Sequence, residues 1–164
     1  MLIKTARIDD IPRLQPIIDA AFAGTANEGL GQLARGDLLS LGRYYFAEVA
    51  GEVLGCGGWS MDEPGTKLVT PGLGHIRNVA VDPRAQGQGV GRALMRHIFT
   101  EANNVAITEF LCFSSLEAEA FYQKLGFVVL QRQELSLPNG RKIPMIRMQS
   151  SAISPECVGL FAVV

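Results

Sequence analysis

Cysteine is scarce in this sequence and stands unpaired. Cys56, Cys112 and Cys157 lie far apart with no Cys-x-x-Cys pair, which excludes a disulfide scaffold and points to a reducing compartment. Histidine occurs only twice, as His75 and His97. Without ligand-spaced cysteines, that leaves no donor set for a metal, and none is expected. An excess of one charge is also missing. The 15 basic and 16 acidic residues leave a net charge of −1, so there is no electrostatic case for nucleic acid. No apolar run approaches the roughly 20 residues that cross a bilayer. The segment Met1 to Asp10 turns charged at once and lacks a signal-peptide core. The expectation is a cytoplasmic protein with neither a membrane nor a nucleic-acid partner. No Gly-x-Ser-x-Gly elbow occurs, which removes the serine hydrolases. What the chain does have is 48% hydrophobic residues over 164 positions, enough for one buried core and too many for intrinsic disorder.

The order of elements follows from periodicity and punctuation. Leu2 to Ala6 suits a short strand. Leu14, Ile17, Ile18, Ala21 and Phe22 then recur at helical spacing, with Asp9 or Asp10 as cap and Pro12 in the first turn. Asn27 to Gly42 is interrupted by glycine and predicts a weak helix and a loop. Tyr44–Val49 and Val53–Trp59, joined by Ala50-Gly51-Glu52, make a hairpin. Met61 to Gly72 is a loop rich in Pro and Gly, and His75 to Val81 is the next strand. A helix from Val90 to about Asn103 and a strand from Glu109 to Phe113 follow. Ser114 and Glu117 have the spacing of a capping box for a helix reaching Leu125. Phe127–Leu137 and Lys142–Met148, around Pro138-Asn139-Gly140, form a second hairpin. This order implies an α/β (α+β) fold with a mixed sheet. Residues 1–149 read as one domain and 150–164 as an apolar tail. The tail hints at a covered surface, such as one between two copies in a homodimer.

The most informative stretch is Gln86-Gly87-Gln88-Gly89-Val90-Gly91-Arg92, just before a helix. Glycines there let main-chain amides approach a ligand closely. The helix start adds unpaired N–H groups and the positive end of its dipole. Together they make an anion cradle suited to a diphosphate, with Arg92 as a fixed positive charge. A P-loop would need a lysine after these glycines, and a dinucleotide turn would need Gly-x-Gly-x-x-Gly. Neither is present.

Val81-Asp82-Pro83 followed by Gln86-Gly87-Gln88-Gly89-Val90-Gly91 resembles the acyl-CoA-binding motif of the GNAT superfamily of N-acetyltransferases, with Gln86, Gly89 and Gly91 in its fixed positions. About 30 residues on, Ala118-Glu119-Ala120-Phe121-Tyr122-Gln123-Lys124-Leu125-Gly126-Phe127 is similar to the companion motif of that family. The resemblance covers roughly Ile3 to Met148. It implies a mostly antiparallel, twisted sheet of about seven strands with flanking helices, whose two middle strands run parallel and splay apart. It implies acetyl-CoA as donor, its diphosphate on the amides of Gly87 to Arg92. The pantetheine arm would lie along Val79, Ala80 and Val81. Where the family commonly has Asn, this sequence has Ser115.

The implied chemistry is acetyl transfer from a thioester to a primary amine of a small molecule or peptide, by direct attack in a ternary complex. A non-catalytic acyl-CoA sensor on the same fold is the competing reading. A lysine-like amine has a pKa near 10.4, so only about one in a few thousand is neutral at pH 7, and a base helps. His75 stands where many members carry a Glu. The base is open between His75, another group and water, and Asp62 and Glu63 are acids near the loop that could attract an ammonium ion. Tyr122 is the candidate acid for the departing sulfur, and the Val79 amide is the candidate donor to the carbonyl oxygen. Cys112 reads as a buried strand residue, His97 as a surface residue, and Trp59 as a wall of the acceptor pocket or, alternatively, as core.

Overall fold

A computed structural model of the chain describes residues 1–33, 39 and 43–150. Of the expected apolar tail, Ser150 is the last residue of a strand and the remainder, Cys157 included, lies outside the described residues, as does part of the Asn27–Gly42 segment. Seven strands occur in the order β1-β2-β3-β4-β5-β7-β6: β1 (Leu2–Thr5), β2 (Tyr44–Val49), β3 (Glu52–Ser60), β4 (Leu73–Val81), β5 (Glu109–Ser114), β6 (Phe127–Ser136) and β7 (Lys142–Ser150). Three helices accompany them: α1 (Ile11–Phe22), α2 (Val90–Asn103) and α3 (Glu119–Lys124). The mixed, mainly antiparallel sheet with flanking helices is the expected architecture. The chain divides into two compact units, Met1–Ser60 with Arg77–Ile98, and Met61–Ile76 with Phe99 onward.

In the first unit, β1 and β3 each pair antiparallel with β2. Helix α1 buries Leu14, Ile17 and Ile18 against Tyr44, Phe46, Val53 and Cys56, with Ala21 and Phe22 at the margin. That face is the stripe predicted from its spacing. Burying each large aliphatic side chain contributes roughly 1.5–3 kcal/mol. The cap differs from expectation: the Asp10 carboxylate turns back to accept from the Arg7 amide at 2.9 Å and makes no side-chain cap to α1. After α1, the described part of the weak-helix segment is a run of turns, Thr25 to Phe22, Glu28 to Thr25 and Leu30 to Asn27.

Trp59 is core and not a pocket wall. It is 2% exposed, its Nε1 donates to the Tyr45 hydroxyl at 3.3 Å, and the Arg43 guanidinium lies 4.7 Å from its ring centroid. His97 is half-buried, its ring edge-on to Tyr45 at 4.6 Å. β2 and β3 approach tightly at Gly58, where a Cβ would sit 2.3 Å from the Arg43 carbonyl oxygen and 2.6 Å from Tyr44 Cδ2. Gly58→Ala should therefore destabilise the fold by about 1–3 kcal/mol or more, read as a lower midpoint in urea unfolding.

In the second unit, β7 lies between β5 and β6, antiparallel to both. The parallel ladder of β4 on β5 runs over Leu73, Gly74 and His75 against Glu109, Phe110 and Leu111, and ends there. Phe99 packs on Phe110 at 5.1 Å and on Phe127 at 6.4 Å between ring centroids. The capping box at Ser114 does not form. Ser114 is the last residue of β5, its hydroxyl donates to the Ser115 carbonyl at 2.7 Å, and α3 begins only at Glu119.

Candidate active site

β4 ends at Val81, and the chain is then fixed by Asp82. Its amide donates to the Leu54 carbonyl at 2.9 Å. Its carboxylate accepts from the Arg84 amide at 2.8 Å and from Arg84 Nη2 at 2.7 Å. Those contacts hold the Asp82 carboxyl below the usual carboxylate range and close a single 3-10 turn, Pro83–Ala85. Arg84 also reaches Glu52 at 3.2 Å, so its charge is already paired.

Beyond this clamp lie Gln86 to Arg92. Gly87 and Gly89 have φ of +76° and +84°, and a Cβ at either would meet nothing within 4 Å. Among the described residues, no main-chain N–H from Gln86 through Arg92 has a hydrogen-bond partner; the first paired amide is that of Ala93, on the Gly89 carbonyl at 3.0 Å. Gln88 is steadied by its Nε2, which donates to the Arg84 carbonyl. Among the described residues, then, seven successive amides without a partner stand at the N-terminus of a 14-residue helix, a geometry that can hold an anion. Gln86 to Gly89 are exposed, and Val90 and Gly91 are buried.

Val79, Ala80 and Val81 belong to the same unit as the cradle. Just before them, Asn78 has φ of +49°, a left-handed residue inside a strand, and its carbonyl accepts from the Tyr44 hydroxyl at 2.7 Å. Neither feature was expected from sequence. The only local signal was an asparagine, a residue that tolerates this region better than most.

The second unit holds His75, Ser115 and Tyr122. His75 is 4% exposed, opposite Leu111 in the parallel ladder. Tyr122 projects from α3, 7% exposed, edge-on to Phe127 at 5.3 Å and to Phe121 at 5.1 Å. Its hydroxyl has no hydrogen-bond partner among the described residues. Burial, reinforced by nearby Cys112, raises the phenol well above its ordinary range, so it is a neutral donor at neutral pH. The same burial pushes the Cys112 thiol up to about 12, and Cys56 is likewise pushed up to about 12. Neither is a thiolate at pH 7, so neither is a ready nucleophile. No cluster of three metal-ligating side chains occurs among the described residues, and no helix among them is long and apolar enough to cross a membrane.

The profile of the acetyltransferase (GNAT) domain matches residues 40–129, which include the cradle and α3. A glucosamine 6-phosphate N-acetyltransferase of Trypanosoma brucei brucei is 36% identical over 61 residues, 37% of this chain and 42% of that protein. An amino-acid acetyltransferase of Mycobacterium tuberculosis is 26% identical over 137 residues, 79% of this chain and 70% of the relative. This chain thus spans between two fifths and seven tenths of the length of these two relatives. Among solved structures, a Mycobacterium tuberculosis protein in complex with CoA superposes with a TM-score of 0.68 at 21% identity, over 93% of this chain and all of that one. At that identity the likeness is one of fold. A profile spanning more than half the residues, together with the glycine turn it contains, makes this chain a member of the GNAT acetyltransferase family.

Proposed function

We propose that this protein transfers the acetyl group of acetyl-CoA to a primary amine by direct attack in a ternary complex. The observation that carries the reading is the row of amides from Gln86 to Arg92 that have no partner among the described residues. The donor's diphosphate takes these amides, with Arg92 adding charge, because Arg84 is spent on Asp82 and Glu52. Gln86, Gly87, Gln88, Gly89, Val90 and Gly91 supply main chain. The pantetheine arm pairs with Val79 and Val81 like an added strand, past the point where the ladder with β5 stops. Ser115 offers a hydroxyl where the family motif has an amide. The CoA complex of a structural neighbour supports this choice of donor.

In the reaction the amine nitrogen bonds to the acetyl carbon and the carbon–sulfur bond breaks. The Val79 amide donates to the carbonyl oxygen as charge develops. His75 takes the proton that the amine loses, and its burial favours a relay through water over direct contact. Tyr122 donates to the leaving sulfur. A phenol with a raised pKa is a poor acid toward a solvated thiolate. Burial raises thiols as well, as Cys112 shows, so a sulfur leaving into comparable surroundings demands its proton. With both described cysteines held as thiols, direct attack is favoured over an acyl-enzyme. The acceptor is a small-molecule or peptide amine, in keeping with the names of the relatives.

The test is thiol release from acetyl-CoA across amino acids, hexosamines and lysine peptides, beside CoA binding by calorimetry. Binding with turnover on at least one amine is expected. Tight binding with no turnover would favour a sensor, and absence of binding would remove the cradle. The pH profile has a definite sign. Activity should rise from pH 7 toward 9 as the amine loses its proton. Because the Tyr122 pKa is raised, the phenol keeps its proton through that window, and no downturn from it is expected below about pH 10.

A further inference from the structure

We propose that Tyr44 is a positioning residue, whose hydroxyl holds the Asn78 carbonyl and so sets the kink in β4 that presents Val79 and Val81 to the donor. This rests on the donor reading above.

Tyr44 opens β2 and is completely buried, in the cluster formed by Leu14, Ile18, Cys56 and Ala80. A phenol oxygen taken that deep is costly unless it is hydrogen-bonded. Phenylalanine would fill the same space without that cost. The oxygen lies 2.7 Å from the Asn78 carbonyl oxygen and 3.4 Å from Cys56 Sγ. One hydroxyl carries one proton, and the carbonyl is the nearer and stronger acceptor. The buried Cys56 thiol keeps its own proton and can return it to the phenol oxygen.

The recipient is the residue that needs holding. Asn78 is one of three non-glycine residues with positive φ among those described, and the only one within a strand; Ala50 and Ala106 lie in turns. A left-handed residue interrupts the alternation of main-chain groups along a strand, which re-aims the residues after it. Those residues are Val79 and Val81. Its Oδ1 lies toward Gly31, 3.5 Å from where a Cβ at Gly31 would sit. The contact joins residues 34 apart in sequence and lies wholly in the first unit.

Tyr44→Phe should raise the Kd for CoA about tenfold, the usual worth of one hydrogen bond, and should also lower turnover at saturating acetyl-CoA, because the Val79 amide it positions is the donor to the carbonyl oxygen. Val79 amide hydrogen exchange should quicken in parallel. Asn78→Gly in the Tyr44→Phe background should restore affinity, because glycine adopts positive φ without cost. If Tyr44→Phe does not fold, Asn78→Val, which disfavours the left-handed region, should weaken CoA binding in the same sense. A lower melting temperature with unchanged Kd would reduce Tyr44 to core support, and failure of glycine to restore binding would equally overturn the proposal. If the unmodified protein does not bind CoA, the donor reading falls as well. Normal binding by Tyr44→Phe overturns this inference alone.

Discussion

Gly89→Asp should abolish measurable affinity for acetyl-CoA while leaving the fold intact. Gly89 has φ of +84° and nothing within 4 Å of its missing side chain, so the new group enters open space and collides with no core residue. Two effects then act. Left-handed backbone costs a residue with a side chain roughly 1–2 kcal/mol, least for Asp and Asn. The larger effect is charge. A carboxylate about 5 Å from the diphosphate repels it by roughly 3 kcal/mol at an effective dielectric near 20, on the order of a 100-fold loss in affinity. Gly89→Asn has nearly the same shape and conformational tolerance without the charge, so it isolates that repulsion and should lose much less. Calorimetric titration of CoA into the three proteins decides it. Equal affinity for Gly and Asp would mean that the diphosphate does not bind there.

Tyr122→Phe should lower turnover by about 10² to 10⁴, the range for loss of a positioned acid, with donor affinity nearly unchanged. The ring's work is packing, edge-on to Phe127 and Phe121, and phenylalanine keeps that geometry. Only the hydroxyl disappears. Because it has no hydrogen-bond partner among the described residues, its removal leaves no orphan behind, and stability should change little. The measurement is kcat against KM for acetyl-CoA, together with a melting curve. Unchanged kcat would reduce Tyr122 to a core aromatic and reopen the question of what protonates the sulfur.

Sequence was a good guide wherever structure is decided locally. The stripe on α1 and the span of α2, Val90–Asn103, follow from spacing alone. Both glycines just before α2, Gly87 and Gly89, show positive φ, as a turn that exposes its amides requires. Local rules failed where a distant partner took over. Ser114 and Glu117 fit a capping box, but Ser114 completes β5 opposite Ile146 and cannot also open a helix. Trp59 and His97 both meet Tyr45, 14 and 52 positions away, a convergence that neither one's own neighbours in sequence announce. The length of the β4–β5 ladder and the kink at Asn78 depend on tertiary contacts that no periodicity encodes.

The Asp82–Arg84 clamp bears on how the cofactor is received. A free glycine-rich loop would have to surrender conformational entropy each time it closed on a ligand, typically about 1–2 kcal/mol per residue. Here the polypeptide is pinned immediately upstream by four hydrogen bonds from Arg84 to Asp82 and downstream by the first turn of a long helix. That entropy is surrendered once, during folding. A coenzyme held there, as proposed above, would meet a receptor with little left to order, and more of its intrinsic binding energy would be left for orienting the thioester.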